Sequence, residues 1–191
     1  LSEHESRACT LFTFTRKPTP DRYTTRIGGL AAWPDSEPWP TCTECEEHLA
    51  FAAQLDFRND DSVHFDTLLF HYCFACRPWE PSGSALVTLR SIDPSVALID
   101  ENIIPVDLED DEPGPCFGVP FQLKDYAHDE LCAMATKIGG FRPEIQDRDA
   151  VTDSSGVPMK YLACLGGVDG TELQRIEGTP AVGDLTWGDV G

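Results

Sequence analysis

Residues 42–57 read CTECEEHLAFAAQLDF, a pair of cysteines separated by two residues and followed by an apolar run that is typical of a strand. A second such pair, Cys73 and Cys76, begins where the strand-like run DTLLFHYC of residues 66–73 ends. A spacer of two residues forms a tight turn that aims two sulfur atoms at one point, and four sulfurs make the tetrahedral shell that zinc prefers. The spacing therefore predicts one structural zinc ion per chain in a zinc-ribbon-like site, with the ligands Cys42, Cys45, Cys73 and Cys76.

The same four sulfurs allow two other interpretations, which the sequence leaves open. Cysteine pairs can form disulfides, although a disulfide framework is typical of shorter secreted chains than this one of 191 residues. A Cys-x-x-Cys pair can also carry redox chemistry. In the zinc interpretation four thiolates close the shell, so the ion has no open position for a substrate. His48 and His71 flank the pairs, and we expect them to be surface or sheet histidines, because four cysteines suffice as ligands.

The net charge of the chain indicates which kinds of partner it can attract. The sequence has 33 acidic against 14 basic residues, a formal net charge of -19, while its 41% hydrophobic and 25% charged residues are usual for a soluble globular protein. Nucleic acids and anionic membranes both require a cationic surface, so the charge argues against either as a ligand. A partner attracted by this field would itself be basic. The alternative interpretation is that the acidity serves only solubility.

Several familiar signals are absent from the sequence. No apolar run approaches the length of about 18 residues that a membrane-spanning helix needs, and no basic segment followed by an apolar core opens the chain. These observations lead us to expect a cytoplasmic protein. The sequence also contains no Gly-x-Ser-x-Gly, no His-Glu-x-x-His and no dinucleotide-binding fingerprint. We therefore expect a protein that is not an enzyme.

Alternation of apolar and polar residues predicts a mostly β, α+β fold. One segment, residues 125–138, has apolar residues at helical spacing behind Asp125, a residue that can cap a helix, and is predicted to be helical. Residues 107–115, DLEDDEPGP, are predicted to form an acidic loop. The expected strands are residues 9–15, 49–57, 66–73 and 84–92. The carboxylates of the acidic loop that we select as the partner-binding surface are Asp107, Glu109, Asp110, Asp111 and Glu112.

Two motifs recur in the same order and at nearly the same spacing. RIGGLAAWP, which begins at Arg26, is similar to KIGGFRPEI, which begins at Lys137, and AFAAQL of residues 50–55 is similar to KYLACL of residues 160–165. Paired glycines offer positive φ and close backbone approach, so each copy would combine a Gly-Gly turn with a core strand. We expect two related β-sheet halves about a pseudo-twofold axis. The alternative is chance similarity between common apolar strands.

The ordered motifs resemble the YwqG-like family, a bacterial domain of unknown function. The resemblance rests on TRIGGLAAWPDSEPWPTCTECEEHLAFAAQLDF, DTLLFHYC, KIGGFRPEIQ and the terminal TWGDVG. It implies a single domain over residues 1–191, with a first repeat at about 24–100, which contains the cysteine pairs of 42–76, and a second repeat at about 117–191. Members of that family usually carry a further strand after their WGDaG-like turn. The resemblance thus implies either a chain truncated at its C-terminal end or a sheet edge left open to another strand.

The first half, with its Gly-Gly turn, Trp-Pro loop and two cysteine pairs, is also similar to programmed cell death protein 2 and its relatives. That similarity implies a dedicated chaperone for a ribosomal protein, although this chain has no separate MYND-type finger. The acidic charge and a bacterial origin fit an immunity protein that neutralises a toxin equally well. The prediction is a non-catalytic protein-binding module that masks a basic partner. The alternative is an enzyme or a small-ligand-binding protein that uses a groove between the two repeats.

Overall fold

A computed structural model describes the fold of residues 7–73, 75–76, 85–101, 116–126, 136–140 and 155–165. Within these ranges the regular secondary structure consists of eight β-strands, and no helix is present. The mostly β prediction is therefore confirmed for the described residues. They include no helix of the length and hydropathy needed to cross a membrane. The strands are β1 (Arg7–Thr15), β2 (Arg26–Ile27), β3 (Ala50–Asp56), β4 (Thr67–Tyr72), β5 (Ala85–Arg90), β6 (Cys116–Tyr126), β7 (Lys137–Gly139) and β8 (Ala163–Cys164).

The chain divides into two compact units, Thr15–Gly118 and Leu1–Phe14 with Val119–Gly191, which we call the cysteine unit and the terminal unit. In the cysteine unit the strand order is β5-β4-β3-β2, followed by the start of β6, and neighbouring strands are antiparallel. The segments predicted as strands from their alternation supply β3, β4 and β5, so these predictions are confirmed.

One face of this sheet carries the core of the cysteine unit. Strand β4 alternates, so that Thr67, Leu69 and His71 are buried on one face, while Leu68 and Phe70 are half-buried on the other. Large aromatic side chains supply most of the apolar area on the buried face. The loop between β2 and β3 contributes two tryptophans to this core, so it forms one wall of it. The members of the cluster are Ala31, Trp33, Trp39, Phe51 and Leu69.

A buried glutamine ties that loop to the sheet. The side-chain amide nitrogen of Gln54, on β3, donates to the carbonyls of Arg22 and Thr24 at 3.0 and 3.1 Å. The side-chain oxygen of Gln54 accepts a hydrogen bond from the backbone N–H of Ala32 at 3.1 Å. Buried backbone groups outside regular structure need such partners. Gln54 therefore holds the segments on both sides of β2 in place.

The terminal unit has β7 between β1 and β8, with both pairs antiparallel. The strand predicted at residues 9–15 lies within β1, so that prediction is confirmed. The helix predicted at residues 125–138 is wrong at both ends, because residues 125–126 belong to β6 and residues 137–138 belong to β7. Its middle lies outside the described residues. Two neighbouring strands supply hydrogen bonds to β7 that a local helical spacing does not anticipate.

Strands β2 and β7 end in the same way, each at a pair of glycines with positive φ. The φ angles, all between 65° and 73°, belong to Gly28, Gly29, Gly139 and Gly140. Residues with a side chain rarely adopt this left-handed region, so the predicted role of the paired glycines is confirmed. At Gly139 a side chain would also meet the carbonyl oxygen of Ala8 at 3.0 Å. The first glycine of each pair donates its N–H to a backbone carbonyl at 2.8 Å, Gly28 to Ala52 in β3 and Gly139 to Leu162, which directly precedes β8.

Candidate metal centre

The pairing of β3 with β4 brings the two cysteine pairs together. Ala50, the first residue of β3, lies opposite Tyr72, the last residue of β4. The chain enters β3 after the first cysteine pair and leaves β4 through the second, so both pairs lie at the same end of the two strands. Cys76 packs there against a buried cluster made of Cys42, Leu49 and Cys73. The two cysteine pairs, which the predicted zinc site requires to meet, therefore lie together.

The four sulfurs have the spacing of a tetrahedral metal shell. The Sγ atoms of Cys42 and Cys76 are 3.8 Å apart, and those of Cys45 and Cys73 are 3.6 Å apart. All four sulfurs lie within 4.8 Å of one another. A tetrahedron with metal–sulfur bonds of about 2.3 Å has sulfur–sulfur edges of roughly 3.8 Å, whereas a disulfide bond is about 2.05 Å long. The four cysteines are free thiols, and their arrangement can hold a metal ion.

Backbone hydrogen bonds close the first cysteine pair into a compact loop, residues 42–47, which we call the cysteine turn. The N–H of Cys42 donates to the carbonyl of Glu47 at 2.8 Å, and the N–H of Glu46 donates to the carbonyl of Cys42 at 3.0 Å. Among the described residues other than glycine, Glu46 alone has a positive φ, of 64°. The N–H of Leu49 donates to the carbonyl of Pro40 at 2.9 Å and joins the two stems of the turn. These backbone hydrogen bonds thus hold the first cysteine pair in a compact turn.

Burial differs among the four thiols. Cys42 and Cys73 are buried, Cys76 is half-buried and Cys45 is exposed. Burial opposes ionisation of Cys42, but the backbone N–H groups of Cys45 and Glu44 outweigh it and lower the pKa of Cys42 to about 7. Burial raises the pKa of Cys73, and the neighbouring Cys45 thiol raises the pKa of Cys76 to about 12. Cys42 therefore ionises readily, whereas ionisation of Cys73 and Cys76 is opposed. A cation bound between the sulfurs would lower the pKa values of these thiols and allow them to ionise.

Four cysteine ligands would fill the coordination shell of the ion. A closed shell leaves no position for a substrate, so a metal bound here would have a structural role. Neither nearby histidine belongs to the cluster. His48 is exposed, and the ring of His71 lies among those of Trp33, Trp39 and Phe51, at centroid distances of 5.2, 5.2 and 5.6 Å.

The cysteine turn is strongly acidic. Glu44, Glu46 and Glu47 are all exposed on it and make no ion pair with another described residue. Four thiolates around one divalent ion would add roughly two further negative charges. The turn is therefore a concentrated negative site on the described surface. The loop that the sequence predicts to bind the partner, Asp107 to Glu112, lies outside the described residues.

Four arginines of the cysteine unit are engaged by the protein itself. Arg22 and Arg26 donate to backbone carbonyls at distances between 2.7 and 3.3 Å. Burial lowers the pKa of Arg26 to about 10. Arg58 and Arg90 neutralise carboxylates of the unit. Among the described residues of the unit, Arg16 and Lys17 are the cations that remain to offset its exposed acidic residues. The ion pairs are Arg58 with Asp21 and Asp56, and Arg90 with Glu37.

The sequence did not predict the arrangement of charged and aromatic groups around Trp33. The guanidinium of Arg90 lies 4.1 Å from the centroid of the Trp33 ring, and the His71 ring contacts the same indole edge-on. Neither ring nitrogen of His71 has a hydrogen-bond partner among the residues that the structure describes. Burial and then the positive charge of Arg90 lower the pKa of His71 to about 4, so its ring is neutral near neutral pH. Three separate segments contribute these residues, so no local pattern identifies them.

No protein-family model matches this chain, and a search of curated proteins finds no significant match. The resemblances to the YwqG-like family and to programmed cell death protein 2 stay predictions.

Proposed function

We propose that this chain is a non-catalytic protein-binding module with a structural zinc ion, and that its acidic surface masks a basic partner. The observation that carries the proposal is that four arginines of the cysteine unit bond to groups of the unit itself. Arg22, Arg26, Arg58 and Arg90 bond to carbonyls and carboxylates of the unit, while Glu44, Glu46 and Glu47 remain exposed. A surface of one sign attracts partners of the opposite sign and accelerates their association.

Zinc is the metal that fits the donor set best. A shell of four thiolates is typical of zinc or of iron–sulfur centres, and sulfur–sulfur distances of 3.6 and 3.8 Å match the edges of a zinc tetrahedron. We expect elemental analysis of the purified protein to find one zinc ion per chain. Protein free of stoichiometric metal, or four sulfurs present as two disulfides, would refute the assignment.

The proposal places the protein in a reducing compartment, the cytoplasm. Four thiols that lie within 4.8 Å of one another are well placed to oxidise to disulfides. In the cytoplasm thiols stay reduced and free to bind metal. A bacterial immunity protein that neutralises a basic toxin and a dedicated chaperone for a basic ribosomal protein both fit this location. The identity of the captured partner separates the two.

The proposal also includes a duplicated architecture, with two related β-sheet halves in one domain. Strand β2 in the cysteine unit and strand β7 in the terminal unit each have an antiparallel neighbour on both sides. Each carries a buried cationic residue, Arg26 or Lys137, and each ends at a glycine pair with positive φ. The RIGG motif of β2 and the KIGG motif of β7 pair with the strand that follows in the same register, which supports duplication rather than chance similarity. The corresponding registers are Arg26 opposite Gln54 and Phe117, and Lys137 opposite Cys164 and Leu11.

A small-ligand site is the alternative class, and one groove in the cysteine unit bears on it. Its volume is about 180 Å³, and its lining includes Glu37, Arg90 and Asp93. Ligand pockets usually measure about 300–1,000 Å³ and are mostly apolar. The bidentate contact of Arg90 with Glu37, at 2.6 and 2.8 Å, already neutralises the cation of this groove. Protein binding through the acidic surface is therefore the better supported function.

The experiment that tests the function is capture of partners from an extract of the source cells at low and at high salt. We expect a basic protein to bind at low salt and to be released at high salt. Glutamine at Glu44, Glu46 and Glu47 should weaken capture, as should neutralising Asp107, Glu109, Asp110, Asp111 and Glu112. Neutral residues at Asp60 and Asp61 remove charge elsewhere in the unit and serve as the control. An acidic partner, or one retained equally at both salt concentrations, would refute the proposal.

A further inference from the structure

Strand β5 forms an open edge of the sheet in the cysteine unit. All 6 of its residues pair with β4, from Ala85 opposite Tyr72 to Arg90 opposite Thr67, and the register contains no bulge. On its other side, no strand of the described part of the chain pairs with it. An edge strand leaves about half of its N–H and C=O groups unpaired, and these form a template for one further strand.

The sequence of β5 lacks the features that commonly protect a sheet edge. Natural edges carry proline, a bulge or charged side chains, which block pairing with another chain. Strand β5 reads ALVTLR, with no proline. Its one charged residue, Arg90, is directed to Glu37 in a bidentate ion pair. Nothing in this strand therefore opposes the addition of another strand.

An apolar stripe runs along the outer face of the sheet at this edge. Val87 and Leu89 are 53% and 51% exposed, which is unusual for residues in the middle of a strand of a soluble protein. Val87 lies opposite Phe70, and Leu89 lies opposite Leu68, both of which are half-buried on the same face. Together these four side chains offer a contact surface for alternate residues of an added strand.

Acidic groups flank both ends of the stripe. The first residue of β5 is opposite Tyr72, and Tyr72 is opposite Ala50, so this end of β5 lies at the same end of the sheet as the cysteine turn and its three exposed glutamates, with β4 between them. At the other end the carbonyl of Arg90 accepts a hydrogen bond from the N–H of Asp66 at 2.8 Å, and Asp93 follows in an exposed position. A strand with cationic residues at its ends and apolar residues between them is complementary to this edge.

We propose that an extended segment of the basic partner docks on β5 by strand addition. Backbone hydrogen bonds to the open edge supply affinity, and apolar side chains on the stripe with lysine or arginine beyond each end supply selectivity. The inference rests on the proposed function and names the surface and the form of the partner. A second copy of this chain fits the edge less well, because antiparallel pairing of β5 with itself would bring acidic ends together.

The direct test uses a fluorescent synthetic peptide in which valine and threonine alternate between a pair of lysines at each end. Anisotropy measures its affinity, and amide hydrogen exchange of the full chain is compared with and without the peptide. We expect slower exchange in residues 85–90 on binding. A peptide of the same sequence with N-methyl groups on alternate amides keeps the charges but cannot complete the pairing, and it should bind roughly ten-fold more weakly.

Val87→Glu combined with Leu89→Glu separates strand addition from general attraction. The double change removes apolar contacts and adds negative charge. If only electrostatic attraction acts, the lysine-containing peptide should bind this variant more tightly. If the peptide docks on β5, its affinity should fall by about ten-fold. Val157→Glu with Met159→Glu is the matched control, because these residues are 56% and 61% exposed in the terminal unit. The control should bind at least as well as the wild-type chain. Unchanged or tighter binding by the β5 variant would overturn the proposal.

Equal zinc contents and thermal midpoints establish that the variants are folded. If the glutamate variant does not fold, the double variant Val87→Thr with Leu89→Thr repeats the comparison without an added charge. We expect this variant to lose less affinity for the peptide than the glutamate variant. A variant of this second pair that binds the peptide as the wild-type chain does would also count against strand addition.

Failure of this inference and failure of the proposed function give different results. If the chain captures a salt-sensitive basic protein and the β5 variant captures it equally, the partner docks elsewhere and the inference is wrong. If the peptide adds to β5 but no basic protein is captured, the function is wrong and the edge remains a strand-binding site. If the wild-type chain is a dimer that the β5 variant converts into a monomer, the occupant is a second copy and the inference is overturned.

Discussion

Replacement of Cys73 by serine tests the metal centre most directly, because Cys73 is 1% exposed and directly follows β4. A structural zinc ion in a small finger contributes roughly 10–16 kcal/mol at neutral pH. Divided equally among four sulfurs, one ligand accounts for about 2.5–4 kcal/mol. The loss of this ligand should therefore weaken zinc binding by roughly a few hundred-fold.

Burial adds a second effect to the loss of zinc. The serine hydroxyl at position 73 would be enclosed without its metal partner, which costs about 1–3 kcal/mol of stability. Cys45 is exposed, so the hydroxyl of a Cys45→Ser variant would remain in water. We expect both variants to lose zinc to the same degree and the Cys73→Ser variant to lose more free energy of unfolding.

Competition with a chromophoric chelator measures the zinc affinity of each variant, and hydrogen exchange locates the structural effect. Exchange should accelerate at the two cysteine pairs, in residues 41–48 and 73–76, while the core cluster of Trp33, Phe51 and Leu69 keeps its protection, because that cluster contains none of the four cysteines. Cys164→Ser is the control, since Cys164 is half-buried in the terminal unit and lies outside the cluster. Wild-type zinc affinity in Cys73→Ser, or an equal loss in Cys164→Ser, would refute the assignment of the four ligands.

Three further predictions follow from the described contacts. A bound ion depresses the pKa values of its thiol ligands, so the stability that the ion supplies is present at high pH and should be lost as the pH falls. Zinc content measured in an acid titration checks this prediction, and retention of zinc in strong acid contradicts it. Gln54→Leu removes the Gln54 hydrogen bonds of the Ala32 N–H and the Arg22 carbonyl, while the Thr24 carbonyl keeps its bond from Arg26; urea unfolding should show a loss of about 2 kcal/mol or more, and a loss below about 1 kcal/mol is the contrary result. His71→Phe removes two unbonded ring nitrogens from the aromatic cluster, so the urea midpoint should be unchanged or higher, and a marked decrease would show that the imidazole has a polar partner.

Alternation along the chain was sufficient to predict the strands that have one buried face. In residues 66–73 the buried side chains alternate along β4, whereas residues 49–57 form an apolar run that is buried at most positions of β3, and both patterns are visible in the sequence. Strand β2 has only two residues and buries Arg26, so it carries no apolar pattern. Strand β7 ends a segment whose local spacing predicted a helix. Both short strands exist because their neighbours supply hydrogen bonds, which local residue preferences do not encode.

The identity of the four candidate ligands follows from local spacing, because a two-residue spacer constrains each cysteine pair regardless of the rest of the fold. Their meeting at one point depends on the antiparallel register that places Ala50 opposite Tyr72. Composition likewise reveals the net charge of -19. Folding, in contrast, buries Arg26, pairs Arg58 and Arg90 with carboxylates of the same unit, and leaves β5 at the edge of its sheet. These features arise from long-range hydrogen bonds and burial, which join segments that are distant in the chain.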